Sequence, residues 1–315
     1  MKRAIVLFAA LLGACGASKE LTADEIRNAM PQKESASINA PTSGSGVQAG
    51  LNPARDPAAS NVGDVSGYYL STATLAVAVN GSVAWSLGVL QAVVQWPPTS
   101  CDKTSCTWGP GSSPLDPRDW KLTVSKAGDH FDYQLAGQQK SQPDGFVTIL
   151  SGSAYPSSPH RGHGSFLVDH EQGKKLGYTD TGTLEVSYDN RGDLAIDATF
   201  LGFTGSDGHL GNAVYHYGES ATGGDLQVAF HDLTAAVDPK LALHSRWGLN
   251  GAGRGDADYS QATPAAHYTA SECWSAASVN PPFRVVFYED SAPSSAGAEA
   301  SCAFLTASPP TLGVP

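Results

Sequence analysis

Nine histidines, thirty carboxylates and five cysteines are the side chains of this 315-residue chain best suited to chemistry. His160, His163 and His170 fall close together, and metal binding is the chemistry such a cluster would support. His160-Arg161-Gly162-His163 has no acidic or cysteine neighbour at a fixed ligand interval, so an exposed loop accounts for it better. Gly162-His163-Gly164-Ser165 imitates a nucleophile elbow, but it opens a strand pattern, and its glycines suit a turn or bulge. His170-Glu171 runs into Gln172-Gly173-Lys174-Lys175, a turn, with no second histidine at the zinc-helix interval. No phosphate loop or dinucleotide glycine pattern follows a strand. Arg-Gly-Asp occurs at 191–193 and 254–256, both read as turns, and three residues are too few to imply adhesion. His216 and His231 alternate with Tyr215, Tyr217 and Phe230, on either a lining face or the wet face of a sheet. Arg246 and Glu272 could pair across strands, near a Cys273-Trp274 step that suits a plugged core end. From these residues no catalytic group, metal site or cofactor is expected.

The remaining chemistry is in the cysteines, and the first sets the address. Lys2 and Arg3 precede an apolar run, Ala4 to Leu12, too short for the ~20 residues of a bilayer span. Leu12-Gly13-Ala14-Cys15 closes that run. This start resembles the lipobox signal peptide of bacterial lipoproteins, an ordinary secretory signal being the alternative. The resemblance implies cleavage after residue 14 and lipid on Cys15. Gly16 in place of aspartate favours the outer membrane, facing the periplasm or the cell surface. Acyl chains contribute ~0.8 kcal/mol per buried CH₂, so a multiply acylated cysteine anchors a soluble body without help. Membrane contact through Cys15 is the one partner the resemblance implies.

With Cys15 lipidated, Cys101, Cys106, Cys273 and Cys302 remain, an even number in an oxidising compartment and so two disulfides. Three connectivities are open, of which Cys101–Cys106 with Cys273–Cys302 is the local one. Without residues 1–14, which hold Lys2, Arg3 and no acid, 17 basic residues face 30 acidic ones, a balance of −13. That balance argues against nucleic acid or anionic lipid headgroups as partners bound by bulk charge. Only 16% of residues are charged, while Gly and Pro number 34 and 20, a composition suited to a secreted β-protein with many turns.

The elements follow from hydrophobic period. Residues 15–65 read as a lipidated tether, rich in Ser, Ala, Gly, Asn and Pro over 31–65, with packing of parts of it on the domain as the alternative. Within it Thr22-Ala23-Asp24-Glu25 forms a capping box that starts a short helix, 23–30. Residues 66–96 carry no charge, and Pro97-Pro98 stops them. Leu75, Val79, Val83, Leu87, Leu90 and Val94 recur at steps of four and three, a helical stripe over 68–96. These six are the candidate lining of an apolar ligand or lipid site. A second stripe is small (Thr74, Ala78, Gly81, Gly88, Ala92) and would allow close approach of a sheet. A hairpin turning at Asn80-Gly81 is the competing pattern, and a membrane or partner-binding helix is a further one.

From residue 118 the period becomes two, with segments near 120–124, 131–135, 146–151, 166–168, 184–188, 194–200, 213–218, 226–230, 241–247, 256–260, 270–274 and 283–287. About a dozen strands with short Gly-containing connections predict an antiparallel meander. The expected fold is β-rich α+β: one domain over 66–290, a curved sheet or barrel wrapped on the long apolar helix, with a tail over 291–315. That pairing has a loose architectural likeness to periplasmic lipid-carrier lipoproteins, which hold acyl chains between curved sheet and helices. The expected function is a non-enzymatic binding or scaffold module anchored to the outer membrane, with an apolar ligand between sheet and helix. A cell-envelope hydrolase with a site assembled from distant strands, or a surface assembly protein, are the alternatives.

Overall fold

The structure is a computed structural model that describes residues 21–41, 66–142, 145–205, 208–276, 284–289, 294–296 and 299–315. The leader 1–14, Cys15 and the remainder of 15–65 lie outside the described residues.

The protein is β-rich. Among the described residues fifteen strands form one antiparallel sheet in which each strand pairs with its neighbour in sequence. They are β1 (Ser100–Cys101), β2 (Ser105–Gly111), β3 (Arg118–Ala127), β4 (His130–Gln139), β5 (Val147–Ser158), β6 (Arg161–Asp169), β7 (Thr183–Asp189) and β8 (Ala195–Thr204). The meander continues through β9 (Leu210–Ser220), β10 (Gly223–Asp232), β11 (Pro239–Gly248), β12 (Gly253–Ala262), β13 (Ala265–Trp274), β14 (Arg284–Glu289) and β15 (Ser294–Ala296). The sheet is curved and does not close. Its edge strands are two and three residues long, so little unpaired backbone is offered to another chain.

Helix α1 (Ala23–Ala29) and helix α2 (Gly67–Val94) lie on the concave side. A four-residue helical turn, α3 (His170–Gly173), with a following 3-10 turn, links β6 to β7. Ser66 caps α2 by accepting a hydrogen bond from the Tyr69 N–H at 3.0 Å, and Pro97 ends the run. Helix therefore prevails over hairpin at Asn80-Gly81. The Asn80 amide is used instead to hold an extended segment: its Nδ2 donates to the Ile38 carbonyl at 2.8 Å, and the Ile38 N–H donates to its Oδ1 at 2.6 Å.

The apolar stripe of α2 faces the sheet. Val79, Val83, Leu87, Leu90 and Val94 are buried, and Leu75 is half-buried. The small stripe does the opposite of what close sheet approach requires. Ala78, Gly81, Gly88 and Ala92 are exposed, and a Cβ added at Gly81 or Gly88 would meet nothing within 4 Å. The reason is on the sheet, whose inner face supplies its own small residues. Tyr133, Tyr188, Trp247 and Trp274 each lie directly across from a glycine, namely Gly152, Gly164, Gly224 and Gly253. Large rings lie over those glycines, and the bulky side of α2 fills the remaining trough.

The expectation of a free tether over 15–65 does not hold for residues 21–41, which pack on the body. Leu21, Ile26, Met30, Ala36 and Ile38 are buried in the main core. The capping box at Thr22 and Glu25 forms, with the Glu25 N–H donating to the threonine hydroxyl at 3.2 Å. Arg27 fixes the approach by donating to the Val94 carbonyl at 2.7 Å and the Trp96 carbonyl at 3.2 Å, which satisfies the end of α2. The disulfides are Cys101–Cys106 and Cys273–Cys302, the local connectivity.

Candidate functional site

Cross-strand register turns the alternating pattern of each strand into rows that run the width of the sheet. One row faces inward: Cys106, Val124, Tyr133, Gly152, Phe166, Val186, Ala198, Tyr215, Val228, Leu243, Ala257 and Ala270, each opposite the next. Every member is apolar or aromatic. The row beside it faces outward: Ser105, Ser125, Asp132, Ser153, Ser165, Ser187, Asp197, His216, Gln227, His244, Asp256 and Ser271. Twelve short polar side chains thus stand in line, with neighbours ~4.8 Å apart.

Hydrogen bonds run along this row. The Ser153 hydroxyl donates to Asp132 at 2.5 Å, and His216 Nδ1 lies 2.7 Å from Asp197. His130, Tyr155 and His163 stack beside it, with ring centroids 4.6 and 4.7 Å apart.

At β10–β13 the row deepens into a buried charged cluster. Asp256 accepts from Arg254 Nε at 2.9 Å, Arg246 Nη2 at 3.1 Å, the Ser271 hydroxyl at 2.5 Å and the Ser308 N–H at 2.9 Å. Burial alone would raise the Asp256 pKa. Hydrogen bonds from Ser271, Ser308 and Arg254, with the Arg254 charge, outweigh that and hold the carboxyl below its ordinary range. The cluster is roofed by residues 302–315, which cross the strands. Arg254 Nη1 donates to the Phe304 and Leu305 carbonyls at 3.3 Å each, and Arg246 Nη2 donates to the Thr306 carbonyl at 2.8 Å. His244 holds the Ser308 carbonyl at 2.8 Å and Asp225 at 2.9 Å. Gln227 accepts from the Thr311 N–H at 3.0 Å, and Asn212 donates to the Pro315 oxygen at 3.0 Å. An extended segment is read here by its backbone groups.

Among the described residues the inner face carries a smaller polar group, the Thr72 and Ser245 hydroxyls 2.6 Å apart and the buried Glu272. Tyr133, Tyr188, Tyr215 and Tyr217 have their pKa values pushed up by burial, so their hydroxyls stay neutral. Of the six residues expected to line a ligand site, Val79, Val83, Leu87, Leu90 and Val94 lie in the main core and Leu75 is half-buried. An opening where α1 meets β5 and β6, lined by Met30, Pro31, Tyr155, Arg161 and Tyr188, has room for about one water, ≈ 10 Å³.

The other sequence candidates fall as follows. His160 is exposed and gives its N–H to the Asn28 carbonyl at 2.9 Å, so it docks α1. His163 lies in the ring stack, and His170 starts α3, its pKa lowered by burial. Among the described residues no three His, Cys, Asp or Glu side chains converge as metal ligands. Arg191-Gly192-Asp193 is a turn as expected, whereas Arg254-Gly255-Asp256 is buried inside β12. Arg246 pairs with Asp256 rather than Glu272. Glu272 lies opposite Gly255, on the face where a Cβ would meet the Tyr68 ring of α2. Trp274 plugs the core, with its Nε1 donating to the Gly251 carbonyl at 2.9 Å. The Arg246–Arg254–Asp256 cluster and its roof escaped sequence reasoning, because residues 246, 256, 271 and 308 meet only through register and a long return of the chain.

No family model, no curated protein and no solved structure matches this chain.

Proposed function

We propose that the chain is a lipoprotein of the bacterial cell envelope, anchored in the outer membrane through Cys15 and acting as a non-enzymatic binding or scaffold module. The observation that carries this reading is the Leu12-Gly13-Ala14-Cys15 sequence, whose cysteine is six positions ahead of Leu21, a residue buried in the body. The filled interior supports a scaffold. It leaves the outer polar row, where an extended segment is already held by side chains, as the surface for binding. An apolar ligand between sheet and helix is the narrower form of this proposal, and it requires α2 to shift, because Val83, Leu87 and Leu90 occupy that space.

Metabolic labelling with a radioactive fatty acid tests the anchor. Label on the wild-type chain in the outer-membrane fraction is expected, with none on Cys15→Ser, which should become soluble. A wild-type chain released without label overturns the anchor. Native mass spectrometry after mild extraction tests the narrower form, and protein that is always empty overturns it.

A further inference from the structure

The back of α2 is a long surface that carries no charge, touched at Trp85 by the edge-on ring of Tyr178 with centroids 5.3 Å apart and otherwise largely open among the described residues. The 28-residue helix contains no Asp, Glu, Lys or Arg. Its outward side shows Val77 at 69%, Trp85 at 40% and Trp96 at 41% exposure, between the exposed Ala78, Gly81, Gly88 and Ala92. Trp85 stands on the outward side of α2, and Trp96 follows two residues after Val94, the last residue of the helix, with its ring also exposed. An indole with an apolar body and a polar N–H is the side chain most at home at a membrane–water boundary.

The length of chain leading into the body says what lies against that surface. Leu21 is buried, its carbonyl 4.0 Å from Cys106 Sγ. Trp108, two residues on, donates its Nε1 to the Trp96 carbonyl at 2.8 Å. The entry of the chain into the fold is therefore at the Trp96 end of α2. Five residues lie between Cys15 and Leu21, which makes six residue-to-residue steps. Fully extended, they span at most ~20 Å. A body of this size has a radius of gyration of ~20 Å, so one of its faces must rest near the headgroups. The apolar, uncharged face at the end of the leash costs least to dehydrate there.

We propose that the outward face of α2 is a membrane-contact surface: it lies flat on the bilayer that holds the acylated Cys15, with Trp85 and Trp96 at headgroup level. The helix does not cross the membrane in this arrangement, since its other face stays packed in the sheet. The outer polar row, on the opposite side of the sheet from α2, is then turned away from the bilayer. This inference rests on the lipid-anchor reading and adds an orientation to it.

The tryptophans supply the test. Trp108, Trp120, Trp247 and Trp274 are buried, which leaves Trp85 and Trp96 as the exposed pair among six. The mature lipidated protein is reconstituted into vesicles of phosphatidylcholine brominated on the acyl chains. Emission should fall by up to a third, the share of two tryptophans in six. The fall should vanish in Trp85→Phe/Trp96→Phe, whose circular dichroism and melting should match the wild type. Protein that floats with the vesicles and is not quenched overturns the contact and leaves the anchor standing. If that unquenched protein is a dimer in detergent with Trp85 shielded, the face belongs to a second copy, and the proposal is likewise overturned. If the wild-type chain carries no lipid, the anchor reading fails by itself. Quenching by added vesicles then decides the helix face alone: loss of signal supports it, and no loss overturns it.

Discussion

Asp256 sits at the centre of the most tightly bonded group in the molecule, and its surroundings make a prediction about acid. Its side chain is 4% exposed and that of Arg254 is 6% exposed, so neither charge has water to fall back on. Asp256→Asn leaves Arg254 and Arg246 short of their counter-charge, and removing one partner of a buried pair costs about 3–5 kcal/mol. Urea unfolding at pH 7 should show a loss of that size. The folded pKa lies below the unfolded value of ~3.9, so the ionised carboxylate stabilises fully above that value. The contribution is lost as pH falls through the folded pKa, and the unfolding curves of wild type and Asp256→Asn should converge once the pH is below it. This residue also shows where reading the chain alone stops. His130, His209, His216, His231, His244 and His267 each have an aspartate at ion-pair distance, and none belongs to the cluster His160, His163 and His170 that attracts attention in the sequence. Asp197 and His216 are nineteen residues apart and meet only because β8 pairs with β9 in one register. One residue of slip would put them on opposite faces.

The elements themselves were more legible. Period-two segments from Trp120 to Phe287 each became a strand, and the uncharged run after Ser66 became one helix, because period and chain stops are local properties. The strands before residue 118 were not legible, since β1 and β2 hold Cys, Gly and Pro where alternation would show. The side of α2 that turns inward was also hidden, because it depends on how thick the sheet is where the helix lands. Glycines with rings laid over them set that thickness, and they make opposite predictions for the same substitution. A Cβ at Gly253 would sit 2.3 Å from Trp274 Cζ2 and 2.5 Å from the Arg246 carbonyl oxygen. Gly253→Ala should therefore lower the unfolding free energy by about 1–3 kcal/mol, the usual cost of overpacking. Gly81→Ala places its methyl in open space on a helix and should raise it by about 0.5–1 kcal/mol. Denaturant titration of the two variants checks both signs; two losses would mean that the back of α2 is already covered.

At the scale of the molecule, a fifteen-strand meander has contacts mostly between sequence neighbours, so little ties its far end to its beginning. Helix α2, which touches β3 near one end and β12 and β13 near the other, supplies that tie, and two returns of the chain reinforce the body. Residues 21–41 come back onto α2 and reach β9, where the Asn39 N–H donates to the Tyr217 hydroxyl at 3.2 Å. Residues 302–315 come back across β12, β11, β10 and β9, from the Arg254 contacts to Asn212. The second return is pinned at its start by Cys273–Cys302, a closure over 29 residues. In the chain-entropy account, a loop of that length contributes ~3–4 kcal/mol by restricting the unfolded state. The double variant Cys273→Ser/Cys302→Ser should lose about that much in urea. The side chains of Arg246, Arg254, His244 and Gln227 hold the backbone of 304–311 independently of the sulfurs, so the segment should remain in place once the disulfide is gone. Hydrogen exchange separates the two contributions. The Ser308 and Thr311 amides, bonded to Asp256 and Gln227, should stay protected under native conditions in the double variant. They should lose protection in Asp256→Asn, where the disulfide is intact. Rapid exchange of both amides in the double variant would mean that the covalent link alone keeps the roof on the charged cluster.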